Sequence, residues 1–142
     1  AVVSGKPLRI RYPDATRPWQ HVTDALKGYL LVAERALAGD RSVARAWNFG
    51  PLDDERIPVR AVVERLSAAL GVNVPVGVDA PAHHEAAALE LDSGDAQRLL
   101  HWQPRHRGRD AIDAAGAWYR AFLDGVPAGE LVEAELRACV AA

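Results

Sequence analysis

The sequence predicts a small mixed α/β domain with short strands and about five helices. Leu8-Arg9-Ile10-Arg11-Tyr12 alternates apolar and basic residues, the period-2 pattern of a half-buried strand. Longer segments repeat apolar residues at helical spacing. Gly and Pro punctuate the boundaries between them. Strand, helix, strand, helix, strand, then a helical end, is the order of a compact α/β unit. The sequence shows no repeat, low-complexity tract or linker, so residues 1–142 read as a single domain.

Pro13-Asp14 ends the first strand as a turn. A helix is expected from Thr23 or Asp24, both good N-cap residues, to Gly39-Asp40. Leu26, Tyr29, Leu30, Ala33 and Leu37 share one of its faces. Ala44-Arg45-Ala46-Trp47-Asn48-Phe49 reads as a second strand, stopped by Gly50-Pro51, with Asp53 to Arg56 a polar loop. Pro58 suits the first turn of a helix whose apolar face is Val59, Val62, Val63, Leu66 and Leu70. Asn73 to Val78 is a short strand, with Pro75 placing it at an edge. Asp79 to Ala88 reads as a loop, and Leu89-Glu90-Leu91 as a brief extended piece. Asp92 or Ser93 caps a short helix through Leu100, and Trp102-Gln103-Pro104 turns out of it. A longer helix spans about 108–123, with Ile112, Ala115, Tyr119 and Phe122 inward. A last helix covers Ala128 to Val140. Trp47, Trp102, Trp118 and Tyr119 are expected in the core.

Composition narrows the function classes. Lys plus Arg number 17 and Asp plus Glu 19, a net charge of −2, which argues against a nucleic-acid partner. Apolar residues make up 49%, yet no run approaches the roughly 18 needed to span a bilayer, so no membrane partner is expected. Cys139 is the single cysteine, so no internal disulfide forms and the thiol reads as inert. With no signal-peptide layout, a cytoplasmic protein is expected. The chain begins at Ala1 and contains no Met, which reads as a processed chain or a piece of a longer one.

The densest chemistry lies at Ala15-Thr16-Arg17-Pro18-Trp19-Gln20-His21-Val22, between a strand and a helix. Arg17 carries a planar fork of donors suited to phosphate. Segments that join regular elements commonly hold binding groups. Trp19 and His21 are weighed between packing and ligand contact, and Asn48 between bracing backbone and touching ligand. His84 is a candidate phosphate or sugar contact, and Glu85 reads as a brace of its loop, with a catalytic carboxylate as the alternative. The chain has no glycine-rich dinucleotide fingerprint, no phosphate-binding Walker loop and no Tyr followed four residues later by Lys. His83-His84-Glu85 lacks metal-ligand spacing, so no metal site is expected.

With these residues placed, the chain resembles the C-terminal, substrate-binding part of the nucleotide-sugar dehydratases and epimerases of the extended short-chain dehydrogenase/reductase family. It is most similar to the family's CDP-glucose 4,6-dehydratase branch. Four segments carry the resemblance over about residues 5–124: Arg17-Pro18-Trp19-Gln20-His21-Val22 with Gly28-Tyr29-Leu30-Leu31; Ala46 to Pro51; His84-Glu85-Ala86 with Leu89 to Asp92; and Ala96, Leu99, Trp102 and Pro104. Residues 125–142 are a helical extension beyond it.

The resemblance implies a divided enzyme. An NAD-binding Rossmann half with the catalytic Tyr/Lys pair would lie outside this chain, and the chain itself would hold a nucleotide sugar such as CDP-glucose. The complete enzyme would be a lyase that oxidises the hexose at C4, eliminates water across C5 and C6 and returns the hydride to C6. Arg17 would clamp the diphosphate, Asn48 would bond the nucleotide or phosphate, and His84 would lie near the phosphates; Trp19 and His21 are the further candidate substrate contacts. Alone the chain is expected to be inactive, and its uncovered apolar surface is expected to favour self-association. An epimerase piece, a non-catalytic sugar-nucleotide module and a purely structural domain are the alternatives.

Two residues depart from the family pattern. His101 stands where Gly is usual at a helix exit, so the resemblance requires a left-handed His. Pro81 takes the place of a second phosphate-binding Arg.

Overall fold

The computed structural model describes residues 1–52, 56–80 and 85–140. Its elements are β1 (Leu8–Ile10), α1 (Val22–Leu37), α2 (Val59–Ala69), β2 (Val76–Val78), α3 (Gly94–Leu100), α4 (Arg109–Leu123) and α5 (Ala128–Val140). A single 3₁₀ turn, Arg41–Val43, follows α1. The expected α/β class with five helices therefore holds.

The strands β1 and β2 form a two-stranded parallel sheet in the register Leu8–Val76, Arg9–Gly77 and Ile10–Val78. The Leu8 amide donates to the Pro75 carbonyl at 2.8 Å, so Pro75 contributes its acceptor and is spared a donor's role. The expected strand over Ala44–Phe49 does not form. A 3₁₀ turn capped by Asp40, which accepts from the Ser42 amide at 2.9 Å, takes its start. A strand needs a neighbouring ladder, and none of the described residues runs alongside this segment. Its side chains are used individually: Phe49 is buried, and the Trp47 indole donates to the Val43 carbonyl at 2.9 Å.

Two apolar clusters hold the helices. Val43, Phe49, Ala96, Leu100 and Trp102 form one, with Leu31, Val32, Trp47 and Leu52 against it. Ile57, Val62 and Ile112 form the other, with Trp19, Ala61 and Leu66 against it. Helix α1 approaches the first cluster at Gly28, where a Cβ would lie within 3 Å of the Phe49 ring. Helices α2 and α4 meet closely at Gly116, where a Cβ would lie 2.7 Å from that of Ala69. Arg65 forks onto Asp113 across this pair, with both contacts at 2.5 Å. Those hydrogen bonds hold the Asp113 carboxyl below its ordinary value.

Three expectations change. First, α1 starts at Val22 behind His21, one residue before the expected caps. Asp24 turns inward instead: its carboxylate, 2% exposed, accepts the Arg105 and His106 amides at 2.8 and 3.1 Å. Its backbone carbonyl accepts the Trp102 indole at 2.9 Å, so one residue ties α1 to the chain leaving α3.

Second, the apolar face of α1 points out, with Val22, Leu26, Tyr29, Leu30 and Leu37 all exposed. The inner side is instead Asp24, Gly28, Leu31 and Val32: Gly28 admits the Phe49 ring, and Leu31 and Val32 pack against the first cluster. Third, Ile112 faces inward as expected, but Tyr119 and Phe122 are exposed, and Tyr119 is not core. Ala111 and Gly116 take buried places beside Ile112, and at Gly116 α2 packs too closely for a larger side chain. Trp102 is fully buried.

His101 adopts φ 55° and ψ 28° at the exit of α3, the left-handed turn that the resemblance required. The Trp102 amide closes that turn onto the Ala96 carbonyl at 3.1 Å.

Candidate functional site

Thr16 anchors the segment that carries Arg17. Its amide donates to the Ala87 carbonyl at 2.9 Å, and its carbonyl accepts the Leu89 amide at 3.3 Å. Pro58, at the start of α2, pairs with it on the other side. The preceding Ala15 carbonyl accepts the Val59 amide at 3.0 Å. Arg17 therefore leaves a backbone held from two directions.

The guanidinium of Arg17 is also held. Its Nη1 donates to the Thr16 carbonyl at 2.7 Å and to the Ala86 carbonyl at 3.1 Å. Its Nη2 pairs with the Glu85 carboxylate. The side chain is only 21% exposed, so much of its solvation has been replaced by these partners.

Arg17 lies on the wall of a groove of about 520 Å³. Thr16, Pro18 and Trp19 continue that wall, Leu52, Arg56 and Ile57 face it, and Leu89 to Ser93 run along it. The Trp19 indole donates to the Ile57 carbonyl at 2.9 Å, which fixes the ring as both packing and lining. Gly50 lets the opposite wall close: its amide donates to the buried Ser93 hydroxyl at 2.7 Å, and a Cβ would lie 2.8 Å from that of Leu91. The groove is charged, with Arg17 and Arg56 against Glu90 and Asp92, and Arg56 pairs with Glu90 at 2.7 Å.

The same segment continues into a different environment. Gln20, His21 and Val22 line a second groove of about 500 Å³ with Leu26, Trp118, Tyr119, Val132, Glu135 and Leu136. This groove lies between α1, α4 and α5 and is mostly apolar. The buried His21 ring shares Nδ1 with the Thr23 hydroxyl at 2.7 Å and lies 4.5 Å from the His106 ring. Burial, and then the neighbouring His106, push the His21 pKa below 6.5, against a smaller opposing pull from Glu135 and Asp24.

The structure thus brings Arg17 and Trp19 together in one groove and places His21 in the other. Asn48 is exposed and lines neither. His84 and Pro81 lie outside the described residues, as do Asp53 to Glu55 of the expected polar loop. Among the described residues no group of three or more His, Cys, Asp or Glu could hold a metal ion. No described helix is long and apolar enough to cross a membrane. Sequence reasoning missed Arg56, Glu90, Asp92 and Ser93 as groove residues, because only tertiary contact assembles them. Glu85 was legible as a loop brace, but its partner Arg17 was not, being 68 residues away.

No family model matches the chain. A curated relative, CDP-glucose 4,6-dehydratase of Salmonella typhimurium, is 34% identical over 117 residues, covering 82% of this chain and 33% of the relative. The chain resembles the nucleotide-sugar dehydratases and epimerases. The fold agrees: UDP-glucuronic acid 4-epimerase from Bacillus cereus, solved in complex with UDP-glucuronic acid and NAD, superposes with a TM-score of 0.66 at 20% identity. That match covers 86% of this chain and 37% of the epimerase. The chain spans about a third of the length of each of these dehydratase and epimerase proteins.

Proposed function

We propose that this chain is the substrate-binding part of a nucleotide-sugar 4,6-dehydratase, with CDP-glucose as substrate, and that it is inactive without an NAD-binding part. The observation that carries this reading is Arg17. It stands in a segment with the dehydratase pattern, on a groove wall, held by two backbone carbonyls with Nη2 directed to a carboxylate. A group that receives a carboxylate there can receive a phosphate oxygen. In this reading Arg17 clamps the diphosphate, Trp19 and the Leu89–Ser93 wall enclose the ligand, and His84 completes the site.

Asn48 and His21 have weaker support as ligand contacts, because neither lines the Arg17 groove. His21 is better supported as a packing residue at the start of α1.

The residues present do not fit NAD. Neither β1 nor β2 leads through a described glycine-rich turn into a helix N-terminus. The cofactor belongs in this reading to a further part of the enzyme, and no redox step is assigned to the present chain. Its contribution is to bind and orient the nucleotide sugar. The exposed stripe on α1 supports a docked companion: Val22 is 64% exposed, Leu30 69% and Leu37 90%. An apolar helix face of this kind marks an interaction surface. In the isolated chain the same face would drive self-association, which we propose yields a homo-oligomer.

Calorimetric titration of the chain with CDP-glucose and UDP-glucose tests the reading. Saturable binding of CDP-glucose in preference to UDP-glucose, weakened by Arg17→Ala, is expected. Equal affinities would move the reading towards a uridine-linked epimerase. Absence of heat with both would leave a structural domain.

A further inference from the structure

We propose that Glu85 is a built-in competitor for the anion site, occupying Arg17 in the free protein and giving way to a ligand phosphate. This rests on the reading of Arg17 as a diphosphate-binding residue. The geometry divides the guanidinium into two parts. Nη1 is bound to the carbonyls of Thr16 and Ala86, at 2.7 and 3.1 Å. Nη2 is bound to the Glu85 carboxylate. Departure of Glu85 therefore frees one donor edge without releasing Arg17 from its place.

The backbone around Glu85 supports an exchange confined to the side chain. Immediately after it, the chain is pinned to Thr16 through Ala87 and Leu89. Glu85 itself makes no described backbone bond in this ladder, and its side chain is 44% exposed. It can turn into solvent while Ala86 and Ala87 stay paired. An ion pair with one exposed partner is weak, whereas a phosphate bearing more charge and more acceptor oxygens binds the same fork more strongly. The carboxylate also gives selectivity. A singly charged or poorly aligned anion gains little over Glu85, so the site rejects small monoanions and admits a diphosphate.

The test is titration of the 142-residue chain with CDP and with inorganic pyrophosphate, for wild type, Glu85→Gln, Glu85→Ala, Arg17→Ala and the Arg17→Ala/Glu85→Gln double variant. Removing the competing charge should tighten both ligands, by about two- to fivefold for the loss of a partly exposed ion pair. The gain should vanish in the double variant, since Arg17 is the group competed for. If Arg17→Ala weakens binding but both Glu85 variants bind as wild type or more weakly, Glu85 is a brace that prepares Arg17, and the exchange is overturned while the anion site stands. If Arg17→Ala binds as wild type, or if no form binds either ligand, the anion site itself falls and the exchange with it. Circular dichroism of each variant separates loss of binding from loss of fold.

Discussion

One seven-residue segment serves two grooves of opposite character. Thr16 to Trp19 line a charged groove in which Arg17, Arg56, Glu90 and Asp92 are side by side. Gln20 to Val22 line an apolar groove between α1, α4 and α5. Residue types within a single run therefore do not share a task by being adjacent. The segment turns at Pro18, where the Trp19 amide donates to the Arg17 carbonyl at 2.9 Å, and its two halves meet different elements. Arg17 meets the ladder at Ala86–Leu89, while His21 meets His106 and the helices. In the first groove Arg17 and Arg56 are paired with the exposed carboxylates of Glu85 and Glu90. The polar groups of the second are held for packing, as burial of His21 shows.

The comparison supposes a common rigid base, and the largest effect should come from removing it. Trp102 is fully buried and its indole bonds the Asp24 carbonyl at 2.9 Å. Trp102→Ala is expected to lower the unfolding free energy by about 3–5 kcal/mol, read by urea denaturation. A loss under about 1 kcal/mol would mean that α1 is not tied to the core in this way.

Arg17→Ala separates the two grooves by task. It should weaken a CDP ligand by about 1.5–3 kcal/mol, the range of a charge-assisted hydrogen bond. Stability should change by less than about 1 kcal/mol, since its ion pair is only partly buried. Weakening by His21→Gln of the same size would break the division.

Gly28→Ala probes how closely α1 sits on Phe49. The added methyl would fall within 3 Å of that ring, and overpacking of this kind costs about 1–3 kcal/mol. Normal stability would show that α1 can shift outward.

Much of this was legible from the sequence where the signal was local. The helix following Pro58 keeps its apolar face, with Val62 and Leu70 buried. His101 keeps the left-handed place that its neighbours require. What failed depended on partners. Ala44–Phe49 has strand composition but no ladder, and periodicity cannot supply one. The stripe on α1 was visible as a stripe, but which way it points was decided by Gly28 and Asp24, two residues that apolar periodicity ignores. The Arg17 block was legible as a binding segment. Its groove was not, because Arg56, Glu90 and Ser93 enter from other parts of the chain.

A smaller effect concerns pH. The folded His21 pKa is lowered, chiefly by burial. The unfolded chain then binds the proton more readily, so its contribution to stability is present above pH 6.5 and declines as pH falls below it. His21→Gln should flatten the fall in midpoint as pH drops below 6.5, measured by urea denaturation. An unchanged slope would assign the dependence elsewhere. The smallest effect should come from Leu30→Glu on the outward stripe, where stability should stay within about 0.5 kcal/mol while self-association, read by sedimentation, decreases.

The central claim is that the ligand enters the Arg17 groove and leaves the apolar one untouched. Amide chemical-shift mapping of the isotope-labelled chain during a CDP titration tests it directly. The account predicts saturable shifts at Thr16, Arg17, Ala86, Ala87, Leu89 and Ser93, with His21, Trp118 and Leu136 unmoved. Shifts concentrated at His21, Trp118 and Leu136, or no saturable shift at Arg17, would contradict it.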